Sequence, residues 1–423
     1  MARVEKITLR NGLRLVLVRQ PSSLTATVLV LVETGSEYET KQINGISHFL
    51  EHLTFKGTTK RPRPGAIAEE LAGLGAESNA FTSQEYTGYW AKAEAKKLPR
   101  VLDIISDLYL NPIFDGGEIE KERGVVIEEI NMYEDTPAHR THDIFMRLLY
   151  GNQPAGWDIL GEKKIIKRLK REDFVEYREK HYVAPATTVC VAGNFDDKKI
   201  TLLVRDLFGH LPRARKSTKP RTTVRQSRSR SLAKFKASDQ SHLVLGVPAL
   251  DIFDGRKHAL QVLAEVLGGG MSSRLFRRIR EELGAAYYVR ATPEFCIDHG
   301  YLAVSAGVDH RRITPVIQAI LEELRRLTHE LVGAEELKRS KDHLEGSLVL
   351  NLETSDELAS FYGGQEILTR KLLQPDTLVD KIQSVSAGAV REVARQFFRT
   401  NRLNLAVIGP YRNPKSFQKL LRL

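Results

Sequence analysis

The chain has 423 residues, 42% of them hydrophobic and 28% charged, which is enough apolar material for two or more packed domains. This composition excludes a disordered chain, a collagen-like chain and a small disulfide-stapled scaffold, and no apolar run approaches the roughly 18 residues of a membrane-spanning helix. The 64 Lys and Arg residues exceed the 53 Asp and Glu residues, and the net charge of +11 raises the question of a polyanionic partner.

The two cysteines and the N-terminal residues bear on the cellular compartment of the protein. Cys190 and Cys296 are too few for a disulfide framework or a four-cysteine zinc site, so we expect buried thiols, which fits a reducing compartment. The first residues lack the continuous apolar stretch of a signal peptide and instead predict a β-hairpin that turns at Asn11 and Gly12. We therefore expect no targeting segment, no membrane association, and a cytoplasmic protein from a bacterium or an archaeon.

Hydrophobic periodicity predicts strands and helices along the whole chain. After the hairpin, the first half predicts strands at residues 26–32, 78–81, 87–93 and 188–192, and helices at residues 45–55, 67–74, 97–110, 118–133, 139–150 and 171–181. The second half predicts strands at residues 242–247, 286–292, 301–307 and 404–408, and helices at residues 256–266, 272–283, 314–330 and 335–352. Because strands and helices come in blocks, we predict an α+β fold with helices packed on mostly antiparallel sheets.

Residues 212–236 form the clearest break in composition. The segment holds ten basic residues and no acidic residue, with little apolar periodicity, and therefore predicts a basic interdomain linker. The halves on either side share a spacing: Phe174 precedes Gly193 by 19 residues, and Val390 precedes Gly409 by 19, each across an amphipathic helix, a loop and an apolar strand. We predict two homologous, duplicated α/β-sandwich-like domains, residues 1–211 and 237–423.

The segment GISHFLEHLTFKG carries the chemistry. On a helix, His48 and His52 lie one turn apart on the same face, where two imidazoles can bind one zinc ion. Glu51 lies on the same broad face and can act as general base on a metal-bound water. Such a cluster also arises on solvated helices, but the apolar flanks predict a buried helix, in which His and Glu need partners. The pattern His-x-x-Glu-His is the inverzincin signature.

A catalytic zinc usually has a third protein ligand. The helix EKERGVVIEEINMYED offers Glu122, Glu128 and Glu129, and residues 122 and 129 share a face because they are two turns apart. One acid of this helix can bind the metal while another supports a ligand. A salt-bridged surface helix would have the same composition, and the spacing does not choose between Glu128 and Glu129.

The motifs SHFLEH, ERGVVIEEI and GGGMSSRLF…REELGAAYYV together resemble the pitrilysin family of zinc peptidases, in particular the mitochondrial processing peptidase and its short bacterial relatives. The resemblance runs nearly end to end. It implies that His48, His52 and Glu129 bind one Zn²⁺ per chain, that Glu51 is the general base, and that Glu122 is the supporting acid.

The resemblance also implies residues that bind the substrate. Arg280 and Tyr287 match an Arg and a Tyr of the family's C-terminal domain, where a cation and a phenol can hold a peptide carbonyl and its developing oxyanion. Tyr288 competes for the same role, because the family often has a small residue there. Asn79 and Ala80 match the edge strand that docks an extended peptide by β-augmentation.

The resemblance implies a zinc-dependent endopeptidase that acts on peptides or unfolded protein segments. In short members of the family the facing domain belongs to a second chain, so we expect a homodimer with an enclosed chamber and two composite sites. The alternative is a non-catalytic partner subunit of a processing-peptidase-like complex, although such subunits usually lose a histidine or the glutamate. Nucleic acid is not an expected partner: without the ten basic residues of 212–236, 54 basic residues face 53 acidic ones.

Overall fold

The computed structural model describes residues 3–413 and 415–423. Its eleven named strands are β1 (Arg3–Thr8), β2 (Arg14–Arg19), β3 (Thr25–Val32), β4 (Glu77–Thr82), β5 (Thr87–Glu94), β6 (Thr187–Gly193), β7 (Arg230–Phe235), β8 (Ser241–Pro248), β9 (Ala286–Phe295), β10 (Gly300–Val308) and β11 (Asn404–Gly409). Within the described ranges, no helix is both long enough and apolar enough to cross a membrane.

The α-helices are α1 (Ile46–Thr54), α2 (Ala66–Gly73), α3 (Leu98–Leu110), α4 (Gly116–Asp135), α5 (Pro137–Tyr150), α6 (Lys163–Ile166), α7 (Arg171–His181), α8 (Asp197–Phe208), α9 (Lys257–Gly268), α10 (Ile313–His329), α11 (Ala334–Leu350), α12 (Ser355–Thr369), α13 (Pro375–Gln383) and α14 (Ala387–Phe397). Residues Phe276–Glu282 form a π-helix, where the sequence predicted an ordinary helix over 272–283.

The two sheets have the same topology, which confirms the predicted fold of two homologous α/β domains. The first has the order β1-β2-β6-β3-β5-β4, and the second has the order β7-β11-β8-β10-β9. If the outer strand β1 is set aside, the strands follow one another in the same sequence in both. The first pair, β2 with β6 or β7 with β11, is parallel in each sheet, and the other pairs are antiparallel.

The chain forms two compact units, and neither is contiguous in sequence. The first comprises the residues up to Ile130 together with Asp158–Pro220 and Leu350–Leu372. The second comprises Asn131–Trp157, Arg221–Val349 and the residues from Leu373 onwards. Helix α12 therefore belongs to the unit built mainly from the first half of the sequence, and α5 belongs to the other unit. The predicted domains, residues 1–211 and 237–423, do not include this exchange of helices.

The exchanged helices cover equivalent faces of the two sheets. In the first unit, Leu358, Tyr362 and Ile367 of α12 pack on apolar side chains of β2, β3 and β6. In the second, α5 packs on β8 and β11, where Phe145 is fully buried. The other face of each sheet carries the larger core, against α1, α3 and α7 in the first unit and against α9, α10 and α14 in the second.

The predicted linker is only partly irregular. Residues 213–229 contain no helix or strand, but Arg230–Phe235 forms β7, the edge strand paired with β11. Lysine and arginine are common on edge strands, where they oppose pairing with other chains, so a basic composition does not exclude a strand here. The irregular part is not wholly solvated either, because the Lys219 side chain is 4% exposed and pairs with Glu37 and Glu85.

Candidate metal centre

Helix α1 carries His48, Glu51 and His52 and is held firmly in the first unit. Its apolar side chains, Phe49 among them, are buried in the main core, and the Phe49 ring meets the Phe174 ring edge-to-face with centroids 4.9 Å apart. The helix begins after Gly45, whose φ of 97° is accessible mainly to glycine. The predicted buried helix is therefore present, with its polar residues aligned on one side.

Helix α4 brings a carboxylate to the two imidazoles. Nε2 of His48 and Nε2 of His52 are 3.2 Å apart. Oε2 of Glu129 lies 3.5 Å from His48 Nε2 and 3.4 Å from His52 Nε2. Ligands bound tetrahedrally to zinc are separated from one another by about 3.3 Å. Two histidines and one carboxylate at these separations fit a zinc ion with an open fourth position, while Glu128 is exposed.

Glu122 and Lys56 orient His52. Oε1 of Glu122 accepts a hydrogen bond from Nδ1 of His52 at 2.8 Å, and its Oε2 pairs with Lys56 Nζ at 2.6 Å. The bond places an imidazole proton on Nδ1 and leaves Nε2 as the atom that could bind a metal. These are the contacts that the supporting role predicted for Glu122 would need, whereas Lys56 was not singled out in the sequence.

The charges around the two histidines differ. Burial and the neighbouring charge of His52 lower the pKa of His48 to about 4, so this imidazole is in the neutral, metal-binding form at pH 7. Burial also acts to lower the pKa of His52, but hydrogen bonds to Glu122 and Glu129 outweigh it and raise that pKa to about 9. The carboxylates thus supply the negative charge that a divalent cation would need in place of the proton.

Glu51 is buried beside the same group and is held by Thr82. The hydroxyl of Thr82, at the end of β4, donates a hydrogen bond of 2.6 Å to Glu51 Oε2. Burial raises the pKa of Glu51, although the Thr82 bond acts in the opposite direction. A carboxylate with a raised pKa is suited to accept a proton from water and pass it on.

Strand β4 lies at an edge of its sheet, where, among the described residues, it pairs with β5 alone. Asn79 is exposed and Ala80 half-buried, and Oδ1 of Asn79 accepts a hydrogen bond from the Ala80 N–H at 2.9 Å. Ala80 and Thr82 are two residues apart and so project from the same face of the strand. That periodicity was the one signal in the sequence that could have pointed to Thr82.

Arg280 and Tyr287 lie in the second compact unit. Arg280 is on the π-helix, with its guanidinium carbon 5.0 Å from the centre of the Phe276 ring. Tyr287 on β9 is 72% exposed, while the Tyr288 hydroxyl lies 3.1 Å from Nδ1 of His242. Of the two adjacent tyrosines, Tyr287 is the more accessible to a ligand.

Comparison with known proteins identifies the family. The protein-family model described as "Insulinase (Peptidase family M16)" matches residues 14–163, and the family model described as "Peptidase M16 inactive domain" matches residues 168–344. The chain belongs to peptidase family M16. This family includes the pitrilysin-type enzymes that the sequence motifs resemble, so the resemblance is confirmed.

Members of the M16 family from several bacteria are similar over nearly their whole length. A protein of Bacillus subtilis named uncharacterized zinc protease YmxG is 36% identical over 417 residues, which is 98% of this chain and 100% of the relative. A Rickettsia felis protein named uncharacterized zinc protease is 32% identical and covers 95% of this chain and 96% of its own length.

Solved structures of low identity share the fold. A crystal structure of a protease from Helicobacter pylori superposes with a TM-score of 0.90 at 23% identity, covering 97% of this chain and 100% of that one. A structure from Pseudomonas fluorescens described as a peptidase M16 inactive domain gives a TM-score of 0.89 at 16% identity, covering 98% of this chain and 100% of that one.

Proposed function

We propose that this chain is a zinc-dependent metalloendopeptidase that binds one Zn²⁺ and hydrolyses peptides or unfolded protein segments. The observation that carries the proposal is the triangle of His48 Nε2, His52 Nε2 and Glu129 Oε2, with sides of 3.2 to 3.5 Å. The names of the M16 relatives as zinc proteases support the same metal and the same reaction class.

Each residue of the centre has a distinct task in this proposal. His48, His52 and Glu129 would hold zinc, which when bound supplies a Lewis acid that polarises the peptide carbonyl and acidifies a water. Glu51 accepts the proton of the attacking water and delivers it to the leaving nitrogen. Glu122 keeps His52 in the tautomer whose Nε2 faces the metal.

Strand β4 would bind the substrate backbone. Because β4 is an edge strand, an extended peptide can add to it by main-chain hydrogen bonds, with Asn79 and Ala80 at the point of contact. This mode requires an extended segment, and folded proteins rarely present one. Main-chain pairing therefore favours peptides and unfolded chains as substrates.

We further propose a homodimer in which Arg280 and Tyr287 of one copy serve the metal centre of the other, within a shared chamber. The resemblance to short members of the family and the exposure of Tyr287 support this arrangement. Mixing a Glu51→Gln variant with an Arg280→Ala variant tests it. Activity regained on mixing two inactive variants would require sites completed by a second chain, whereas no regain would contradict the proposal.

The decisive experiment combines metal analysis with cleavage mapping. The purified protein should contain one zinc per chain, cleave a peptide library, and lose cleavage when a chelator removes the zinc. Glu51→Gln should retain zinc and lose cleavage, and activity that survived this change would contradict the mechanism. Zinc binding without cleavage by the unchanged protein would favour the alternative, a non-catalytic partner subunit.

The cytoplasm is the proposed compartment. Cys190 and Cys296 are both buried thiols, and thiols persist unpaired by disulfides in reducing surroundings. Fractionation of a bacterial host followed by immunoblotting would test this, and recovery in the periplasmic fraction would contradict it.

A further inference from the structure

Glu39 is a buried acid just before the helix that carries the metal-binding histidines. The residue is only 2% exposed. Oε2 of Glu39 accepts hydrogen bonds from the Gly45 backbone N–H at 2.7 Å and from the Asn44 side-chain amide at 3.0 Å. Its Oε1 accepts a hydrogen bond from the Ser47 backbone N–H at 2.9 Å. One carboxylate thus binds two N–H groups at the start of α1, a terminus whose N–H groups otherwise have no partner within the helix.

The negative charge of the Glu39 carboxylate is balanced by hydrogen bonds and a helix dipole. Among the residues that the structure describes, no Lys, Arg or His forms an ion pair with Glu39, so N–H groups and the positive end of the α1 dipole supply its stabilisation. Burial raises the pKa of Glu39 to about 7 despite these hydrogen bonds. Burying a carboxylate without a cation costs free energy of folding. An incidental capping role at the helix terminus therefore does not account for the burial of Glu39.

A second set of hydrogen bonds holds Ser47, in the first turn of α1. The hydroxyls of Ser47 and Tyr177 are 2.8 Å apart, and those of Tyr177 and Thr34 are 2.7 Å apart. Ser47 directly precedes His48, so both sets of hydrogen bonds fix the backbone next to a metal-binding side chain. At the other end of α1, Glu122 binds His52 and Lys56.

We propose that Glu39 is a positioning residue for the metal centre: by holding the backbone N–H groups of Gly45 and Ser47, it sets the position of α1 and so of His48 and His52 relative to Glu129. The inference rests on the proposed zinc function. Metal centres tolerate displacements of only about 0.5 Å before affinity falls, which makes a rigid helix start consequential. Glu39 acts through the backbone and touches neither metal nor substrate.

The test compares Glu39→Gln with Glu366→Gln. Glutamine has the same size, but its NH₂ group cannot accept from Gly45 or Ser47, so one N–H group of α1 loses its partner. Glu366 is an equally buried acid of the same unit, yet it pairs with Lys6 at 2.8 Å and Arg14 at 3.2 Å, away from α1. Both variants should lower the unfolding temperature of the zinc-free protein.

Only Glu39→Gln should weaken zinc binding in a chelator competition, by about tenfold in Kd. A folded Glu39→Gln protein with unchanged zinc affinity would overturn the proposal, and so would an equal loss in Glu366→Gln, which would indicate a general loss of rigidity. Failure of the unchanged chain to bind zinc would instead refute the proposed function.

A second variant covers the case in which Glu39→Gln does not fold. Asn44→Ala removes one donor to Glu39 and keeps the carboxylate, and we expect a smaller loss of zinc affinity in the same direction. Unchanged zinc affinity in Asn44→Ala would then overturn the proposal. Circular dichroism of each variant before titration establishes that only folded protein is compared.

Discussion

Thr82 and Glu51 are joined by a hydrogen bond of 2.6 Å, so the edge strand β4 and the proposed general base are in direct contact. The strand that would bind the substrate therefore also orients the group that would activate water. Substrate position and base orientation are coupled through one hydroxyl, two residues from Ala80.

Replacing Thr82 should slow the chemistry without removing the metal. Thr82→Val keeps the shape and deletes the donor, so Glu51 loses its fixed orientation, and kcat should fall by about tenfold with zinc content unchanged. Thr82→Ser retains the hydroxyl and should stay close to the unchanged protein. Steady-state kinetics with metal analysis checks this, and a Thr82→Val effect confined to KM would contradict it.

Replacing Glu122 should weaken zinc binding. In Glu122→Gln the charge beside His52 and Lys56 is lost, and the amide NH₂ opposes the Lys56 ammonium, so zinc Kd should rise about 10- to 100-fold. Lys56→Met leaves the carboxylate on His52 and should have a smaller effect. Chelator competition measures both, and equal affinities in all three proteins would argue against the orienting role.

Acid should destabilise the folded protein through His181. Burial, with the nearby charge of Lys180, lowers the pKa of His181 from 6.5 to about 4. Below pH 6.5 the unfolded chain gains a proton that the folded protein takes up only near pH 4, so stability falls as the pH falls through this range. The full effect is about 3 kcal/mol.

His181→Phe isolates that contribution. A phenyl ring can keep the stacking on Tyr177, whose ring centre is 4.3 Å from that of His181. Urea unfolding at pH 7 and at pH 4, with chelator present, should show a smaller pH dependence in the variant. Equal pH dependence in both proteins would mean that His181 is not the group responsible.

Substitutions at two adjacent glycines of α12 should change the stability of the fold in opposite directions. A Cβ on Gly363 would lie 3.0 Å from Leu31 Cδ1 and 3.2 Å from Leu29 Cδ2, so Gly363→Leu should destabilise the fold by about 1–3 kcal/mol. Gly364 has open space around its Cβ position, and Gly364→Ala should stabilise α12 by up to about 1 kcal/mol. Thermal unfolding of the zinc-free variants tests the pair.

The sequence could predict the candidate metal-binding helix because its pattern is local. His48, Glu51 and His52 lie within one turn and a half, and spacing alone places them on one face. Choosing Glu129 over Glu128 needed either the family resemblance or the distances. The contact of Glu39 with the start of α1 could not be predicted from the sequence. The position of its carboxylate depends on the conformation of the loop between Glu39 and α1, and hydrophobic periodicity does not predict loop conformations.

Helix α12 was missed for a physical reason. Its core-facing side includes Gly363 and the buried Glu366, so the apolar stripe expected of a packed helix is broken. One local signal was present: Thr354 and Glu357 form a capping box at its start. Strand β7 was missed because its basic composition is the same as that of the irregular segment before it.

The exchange of α5 and α12 determines how the protein can be divided. A fragment of residues 1–211 would contain β2, β3 and β6 without α12, and would expose Val16, Val18, Leu29 and Leu31 to water. A fragment of residues 237–423 would likewise lack α5 and uncover Val244, Ala406 and Ile408. Such surfaces promote aggregation. Separate expression of the two halves should therefore give insoluble material, while co-expression should allow each half to supply the helix that the other lacks.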